Sequence, residues 1–528
     1  MLLSELIKGL NVTLADPRHG SIRICDVTED SRTVLPGSLF IARPGAKADG
    51  RRFISKAIEA DASGVLTTPD AEPPSDLPAG VAWLVSPDVP LAEALIAERF
   101  FGNPSHRLTL AGVTGTNGKT TVSTLIYQLL NAARMRCGLI GTVSVDDGQG
   151  IIKASMTTPP ALELSLVLSR MVEAGYKAAA LEVSSHALDQ DRAAALQFDI
   201  ALFTNLTGDH LDYHKTVEHY AASKAKLFGL LSPSGVAIVN CDDPAWERMV
   251  RDCKARVLRC SLDMESDADC RVSIASVTVE GARMTFVGPW GTVEGRVGLF
   301  GSYNAMNCLQ AVAAAHAAGA PIDRIQAALP RLTAPAGRLE LVSRSGDSRE
   351  PFSVFVDYSH TDDALASALR AVRPLVTRPG AALRVVFGCG GDKDRTKRPR
   401  MGRVACELAD YVYVTSDNPR TENPRDIIRE VLEGVQTPAC LRLNEDPDRR
   451  NSIFKAIADC KPGDVLLVAG KGHEDYQILP DGKGGTIRID FDDRQVVREA
   501  LVAALGEPDG GTPDSGVVVV PERENVRP

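Results

Sequence analysis

Between Thr114 and Thr121 the chain reads TGTNGKTT, a set of residue types suited to holding a nucleotide phosphate. Gly115 and Gly118 let backbone amides approach anionic oxygens, Lys119 supplies a cation, and the Thr120 hydroxyl can ligate magnesium. Thr116, Asn117 and Thr121 complete the run. It departs from the standard phosphate-loop spacing, because Val113 occupies the first glycine position and Gly112 stands one residue early. ATP or GTP binding is expected. The loop does not say how the γ-phosphate is used, since kinases, transport ATPases, GTPases and ligases share it.

Three polar clusters follow: Glu182 with Ser184, Ser185 and His186 in LEVSSHALDQDR, then Thr204 to His214 in TNLTGDHLDYH, then Lys224 in YAASKAKLF. Carboxylate and imidazole near a phosphate loop suit magnesium and substrate phosphate. Singly, Glu182, His210 and Lys224 would read as solvated or structural groups; downstream of a phosphate loop they mark a site together.

The elements that must position them are those of an α/β protein. LTLAGVTGTNGKTTVSTLIYQLL is a β-rich run, a glycine turn and an amphipathic helix, and AAALEVSS, IALFTNL and VAIVN supply further strands. A parallel-sheet domain is expected over residues 105–335. After TAPAGRLE a second, Rossmann-like α/β series (336–506) has strands VFVDYSH, LRVVFGCGG, YVYVTSDNP and DVLLVAGKG, each ending in glycine or polar residues where open sheets place ligands. Residues 1–104 read as a small mixed α/β domain, with short strands in SIRICDVT, SLFIARPG, GVLTT and AWLV, a helix in FISKAIEADA and a boundary at FFGNPSH. The Pro-, Gly- and charge-rich tail 507–528 is expected to be disordered.

A chain of 528 residues has room for three or four domains at about 150 residues each. The net charge of -9 argues against a nucleic-acid partner. No apolar run reaches the roughly 18 residues of a membrane span and no cleavable leader is evident, so a cytoplasmic location without membrane insertion is expected. Eleven cysteines lack any CxxC pair, which suits reduced, packed thiols.

Taken in order, DSRTVLPGSLF, GAKADGRRF, GVTGTNGKTT, MTTPPAL, EVSSHALDQDR, NLTGDHLDYH, YAASKAKLF, GSYNAMN, GRLE, VDYSHT, GCGGDKDRTKRPRMG, DNPRTE and GKGHEDYQ resemble the Mur ligases. These are ATP-dependent amide-forming enzymes of peptidoglycan synthesis, and the match is to their tripeptide-forming branch over about residues 20–500. The resemblance implies that ATP phosphorylates the glutamyl carboxylate of UDP-N-acetylmuramoyl-L-alanyl-D-glutamate. The incoming amine then attacks the acyl phosphate. Lys119 and Mg2+ would offset the charge of the transferring group. Thr120, Glu182 and His210 match the family's metal positions, and Lys224 matches its carbamylated lysine (N6-carboxylysine) in the Y-x-x-S-K-x-x-L-F register, although Ser223 replaces a common alanine.

By the same resemblance, Asn304 would lie near adenine, Arg338 near phosphate and Asp357 near ribose with His360, and Asp362 stands where proline is usual. Ser31 and the loop Ala46, Lys47, Ala48 match uridine-diphosphate positions; Thr157, Thr158, Ser184, Gln190 and Arg192 match the muramoyl-dipeptide ones. The acceptor would be meso-diaminopimelate, whose extra carboxylate needs an anion partner, and Arg420 of Asp417-Asn418-Pro419-Arg420 supplies it. Gly470 and Glu474 would hold its ammonium end, while Lys393 replaces a family arginine that contacts diaminopimelate, with Arg395 nearby as a substitute. A monomer is expected. The alternatives are L-lysine as acceptor, a ligase of the folylpolyglutamate-synthase or dipeptide-adding kind, a phosphate-loop ATPase driving a partner, and a nonenzymatic scaffold.

Overall fold

The computed structural model describes residues 1–45, 49–344, 350–435 and 442–506, so Ala46, Lys47, Ala48 and the tail from Glu507 lie outside the described residues. The chain forms two compact units, Met1–Ser276 with Ala282–Pro335, and Ala336–Pro528 with Val277–Gly281.

The first unit holds two sheets. The N-terminal one has five strands, ordered Thr13–Leu14, Ala82–Val85, Gly64–Thr67, Ser38–Ile41 and Asp26–Thr28. Only its first pair is antiparallel. Of SIRICDVT only Asp26–Thr28 is strand. The Val89–Phe100 helix, which the sequence reading did not single out, starts where the Asp88 carboxylate accepts the Leu91 N–H and packs Val89, Ala92 and Ile96 on one face of the sheet.

The central sheet is built around β1 (Thr109–Thr114), β2 (Cys137–Ile140), β3 (Ala178–Glu182), β4 (Phe198–Phe203) and β5 (Leu231–Asn240). Their order is β5-β4-β1-β3-β2, all parallel. β3 is buried at every position, which is why it reads as a continuous apolar run and not as an alternation. β1 has later strands on both sides, so its C-terminal end is a crevice of the kind where open sheets bind ligands. Gly112 lies inside β1, where an added Cβ would stand 2.6 Å from the Phe198 ring. It is a packing glycine and takes no part in the phosphate loop.

The expected parallel sheet proves to be the core of an 11-stranded mixed one. Antiparallel pairs extend it at both edges, Ser144–Asp146 with Ile151–Lys153 and Gly281–Gly288 with Gly291–Val297. The latter turns at Pro289-Trp290, a link too short for the crossover that parallel strands need.

In the second unit β6 (Ser353–Asp357), β7 (Leu383–Cys389), β8 (Tyr411–Ser416) and β9 (Val465–Ala469) run parallel in the order β6-β9-β7-β8. Glu340–Val342 and Arg442–Glu445 flank them. Among the described residues no helix is long and apolar enough to cross a membrane, and the ten described cysteines are free.

Candidate functional site

β1 ends at Thr114 and the Lys119–Ala132 helix begins after Gly118, so residues 115–118 form a turn between strand and helix N-terminus. The helix is held by Val122, Leu125, Ile126, Leu129 and Leu130, one apolar stripe at helical spacing. Gly115 and Gly118 have φ of 149° and 89°, and a Cβ at Gly115 would collide with the Thr204 side chain. Thr204 and Asn205, at the end of β4, hold the turn: Thr204 Oγ1 and Asn205 Nδ2 donate to Asn117 O, and Asn117 N–H donates to Asn205 Oδ1. Lys119 Nζ donates to Gly115 O (3.0 Å) and Thr116 O (2.9 Å), so the cation sits over the turn where an anion would bind. Thr121 is buried beside it.

Glu182, 1% exposed at the end of β3, is the hub. Its Oε2 accepts from Thr120 Oγ1 and from Thr142 Oγ1, each at 3.0 Å, and its Oε1 from Thr142 N at 2.7 Å. Thr142 Oγ1 also reaches Thr157 Oγ1. Thr158 Oγ1 bonds the Glu182 carbonyl oxygen and the Ser184 hydroxyl, and Arg192 donates to Thr158 O and Gln190 Oε1. Thr157, Thr158, Ser184, Gln190 and Arg192, spread over 36 positions of sequence, thus form one polar network continuous with the phosphate loop.

Lys224, on the Val217–Gly229 helix, is 1% exposed; its Nζ donates to Gly115 O at 2.7 Å and lies 4.3 Å from the Tyr220 ring centre. Burial, and then the Lys119 cation, push its pKa well below the ordinary lysine range. His210 has a φ of 53°, in the left-handed region that non-glycine residues occupy at a cost of order 1–3 kcal/mol. The structure joins Thr120 to Glu182 directly, whereas the half-exposed His210 ring meets His186 edge-on at 4.8 Å and lies beside Asp209. Asn304 donates to Phe300 O and accepts from Asn307, whose side chain would touch a Cβ at Gly118. Ser31 is buried in the N-terminal part of this unit.

In the second unit the expected residues gather at strand ends. Asp417 and Asn418 follow β8, Gly470 follows β9, and Lys393 lies in the loop after β7. Arg420, at a φ of 54°, donates from Nη1 to Gly391 O at 2.7 Å. Asn418 donates to Glu474 and accepts the Ile478 N–H. A Cβ at Gly470 would press on Asp417 Oδ2 at 3.1 Å, and one at Gly391 would collide with Pro419 O. Lys393 is exposed, and Arg395, itself largely exposed, pairs with Glu430. Arg338 stacks on Tyr358 at 4.6 Å. The buried Asp357 carboxylate accepts from Leu339 N and from Ser359 N and Oγ, and burial raises its pKa. His360 Nδ1 lies 3.0 Å from Tyr358 O.

Two residues that sequence reasoning passed over shape this second cluster. Lys471, wholly buried, donates to Asn418 Oδ1 and Glu474 Oε2. Arg398, also wholly buried, binds Glu422, Glu430 and Gly390 O, tying the loop after β7 to the one after β8. Both stand within quoted motifs, GKGHE and KRPRMG, and that membership was the available signal.

A phosphate-gripping turn beside a buried carboxylate, on a sheet of this topology, defines a nucleotide-dependent enzyme of the phosphate-loop kind. Three family models match: the Mur ligase family catalytic domain over residues 23–100, the Mur ligase middle domain over 113–315, and the Mur ligase glutamate ligase domain over 337–472. The chain is 45% identical over 481 residues (91% of this chain, 94% of the relative) to UDP-N-acetylmuramoyl-L-alanyl-D-glutamate--2,6-diaminopimelate ligase of Gloeobacter violaceus. It is 43% identical to the Chlorobium phaeobacteroides enzyme of the same name, with 98% and 99% of the two chains covered. A solved structure with that name aligns with TM-score 0.69 at 32% identity, over 95% of this chain and 99% of that one. MurF of Acinetobacter baumannii shares the fold, with TM-score 0.60 at 18% identity over 92% of this chain and 94% of that one. The chain belongs to the Mur ligase family, and it is an ATP-dependent ligase of three-domain α/β architecture.

Proposed function

We propose that this ligase joins meso-2,6-diaminopimelate to UDP-N-acetylmuramoyl-L-alanyl-D-glutamate in peptidoglycan synthesis, acting in the cytoplasm as a monomer. The observation that carries the reading is the double engagement of Glu182: its carboxylate meets Thr120 of the phosphate loop while its carbonyl meets Thr158 of the dipeptide network. One residue therefore couples the nucleotide side to the carboxylate-substrate side. The relatives named above carry this activity in their names.

In the proposed reaction the γ-phosphoryl group of ATP passes to the terminal glutamyl carboxylate and ADP leaves. The amine of diaminopimelate attacks the acyl carbon, loses a proton, and inorganic phosphate departs as the amide forms. Lys119, Thr116, the turn amides and Arg338 are assigned to the phosphates, Asn304 to adenine, and Asp357 with His360 to the ribose. Arg192, Gln190, Ser184, Thr157 and Thr158 orient the dipeptide carboxylate, and Ser31 contacts the uridine diphosphate. The oxygen-rich pair of Glu182 and Thr120 suits a hard divalent cation. Mg2+ held there, with His210 and Lys224 as further ligands, would neutralise charge on the transferring group. Lys224 is suited to carbamylation because its depressed pKa favours the neutral amine, the form that adds carbon dioxide.

For the acceptor, Arg420 is the anion partner, and Asn418, Glu474 and Gly470 hold the ammonium end. L-lysine is the second reading, favoured by the exposed Lys393 in place of a planar guanidinium. Domain boundaries at residues 104, 335 and 506 belong to the same proposal. Phosphate release from ATP with the UDP-linked dipeptide, comparing diaminopimelate, L-lysine and no amino acid with product mass recorded, tests it. Tripeptide mass with diaminopimelate alone is expected; release with neither amino acid overturns the assignment.

A further inference from the structure

Three short segments meet beside Lys224 through groups that the reaction does not use. Asp189 ends the Ser185–Asp189 helix, His214 ends the Leu211–His214 helix, and His219 lies in the first turn of Val217–Gly229. One carboxylate oxygen and one nitrogen from each imidazole lie within 4.8 Å of one another. His214 is wholly buried, its Nε2 is 3.0 Å from Ser185 Oγ, and its buried Nδ1 has no hydrogen-bond partner among the described residues.

The hydrogen bonds fix which atoms carry lone pairs. His219 Nδ1 lies 3.1 Å from the His214 carbonyl oxygen, which can only accept, so the ring hydrogen sits on Nδ1. In the neutral ring His219 Nε2 then presents a lone pair to Asp189 Oδ1 at 3.1 Å. A cation belongs between the two, either the ring's own second proton, as an imidazolium–carboxylate ion pair, or a metal ion. The carboxylate is itself oriented by donors, Tyr213 Oη on Oδ2 and Ser223 Oγ on Oδ1, as metal-bound carboxylates usually are.

We propose that Asp189, His214 and His219 form a binding site for one transition-metal ion of the zinc class, distinct from the magnesium site at Glu182. Bonds of about 2.0–2.2 Å to zinc place neighbouring ligand atoms roughly 3 to 3.5 Å apart. The Asp189–His219 pair already has that spacing. A shift of the half-exposed His219 ring by about an ångström completes the set, and three protein ligands leave a further position for water. Two imidazoles and one carboxylate favour zinc, cobalt or nickel over magnesium, which prefers oxygen. A bound ion braces the segments that carry Ser184, His210 and Lys224.

The test uses the full, tag-free chain stripped with chelator and titrated calorimetrically with Zn2+ in millimolar Mg2+, with Co2+ absorption as a second readout. One equivalent is expected to bind with cobalt bands of low coordination number. His219→Ala and Asp189→Asn should each weaken binding about 10–100-fold, while Glu182→Gln leaves it unchanged. No binding by the wild type, or binding insensitive to His219→Ala, overturns the proposal. So does loss in Glu182→Gln, which would place the zinc in the magnesium site. A His219 imidazolium seen by nitrogen NMR in the zinc-treated protein would identify a proton as the occupant instead.

Discussion

Lys224 Nζ donates to the carbonyl oxygen of Gly115 at 2.7 Å, although 109 residues separate them. Lys119 Nζ donates to the same carbonyl oxygen at 3.0 Å. Two amines sharing one carbonyl oppose each other's charge, and Lys224 is the one whose pKa burial, and then the Lys119 cation, push well below the ordinary lysine range.

Lys224→Met should therefore abolish ligation without weakening the fold. The folded pKa is depressed, so the unfolded chain takes up a proton that the folded one refuses, and this contribution to stability is lost as pH falls below the ordinary lysine value. At pH 7 the variant should melt no lower than wild type, and the difference should move against the variant as pH rises toward 10. Thermal denaturation at several pH values checks this; a lower melting temperature at pH 7 contradicts it.

Glu182→Gln keeps an acceptor for Thr142 but removes the charge that phosphoryl transfer requires. Turnover should fall by about 10²–10³ or more, with melting temperature nearly unchanged. Thr120→Val should lose the same step to a smaller extent. Single-turnover phosphate release separates these effects from substrate binding.

Arg420→Ala should reduce kcat/KM for diaminopimelate by about 10²-fold or more, and far less for L-lysine, because only the former has a carboxylate left unpaired. Since Arg420 also braces Gly391, Arg420→Lys is the control: it retains charge and loses the fork. Equal losses for both amino acids would remove Arg420 as the selectivity element. Lys393→Arg should lower KM for diaminopimelate several-fold.

Glu93 makes stability depend on pH. It is wholly buried in the Val89–Phe100 helix, and burial holds its pKa up at about 7 although Arg43 Nη1 is 3.2 Å away. A raised carboxylate pKa means that stability present below the ordinary value is lost as pH rises toward 7, to the extent of about 3 kcal/mol for a shift of this size. Urea unfolding at pH 5 and pH 7.5 should show that decline in the wild type and little of it in Glu93→Gln.

Lys471→Met should leave Asn418 and Glu474 without their shared donor and raise KM for diaminopimelate more than it changes KM for ATP. Initial-rate kinetics in both substrates checks the split.

The sequence by itself determined what is local. TGTNGKTT specifies a turn through its glycines and a helix through the apolar stripe that follows, and the apolar runs after it specify buried parallel strands. Family order among the motifs was legible for the same reason. The tertiary structure decided everything that depends on which strand ends become neighbours. β1 lies between β3 and β4, and that strand order brings Glu182 to Thr120 and Thr204 to the turn. Gly112 looked like a displaced phosphate-loop residue and is instead a seat for the Phe198 ring. The edge hairpins and the Val89–Phe100 helix escaped the reading because short or uniformly apolar segments carry weak periodicity. Arg398 and Lys471 look like surface cations in sequence; only the convergence of loops from separate strands shows them buried, each with the acceptors that make burial tolerable.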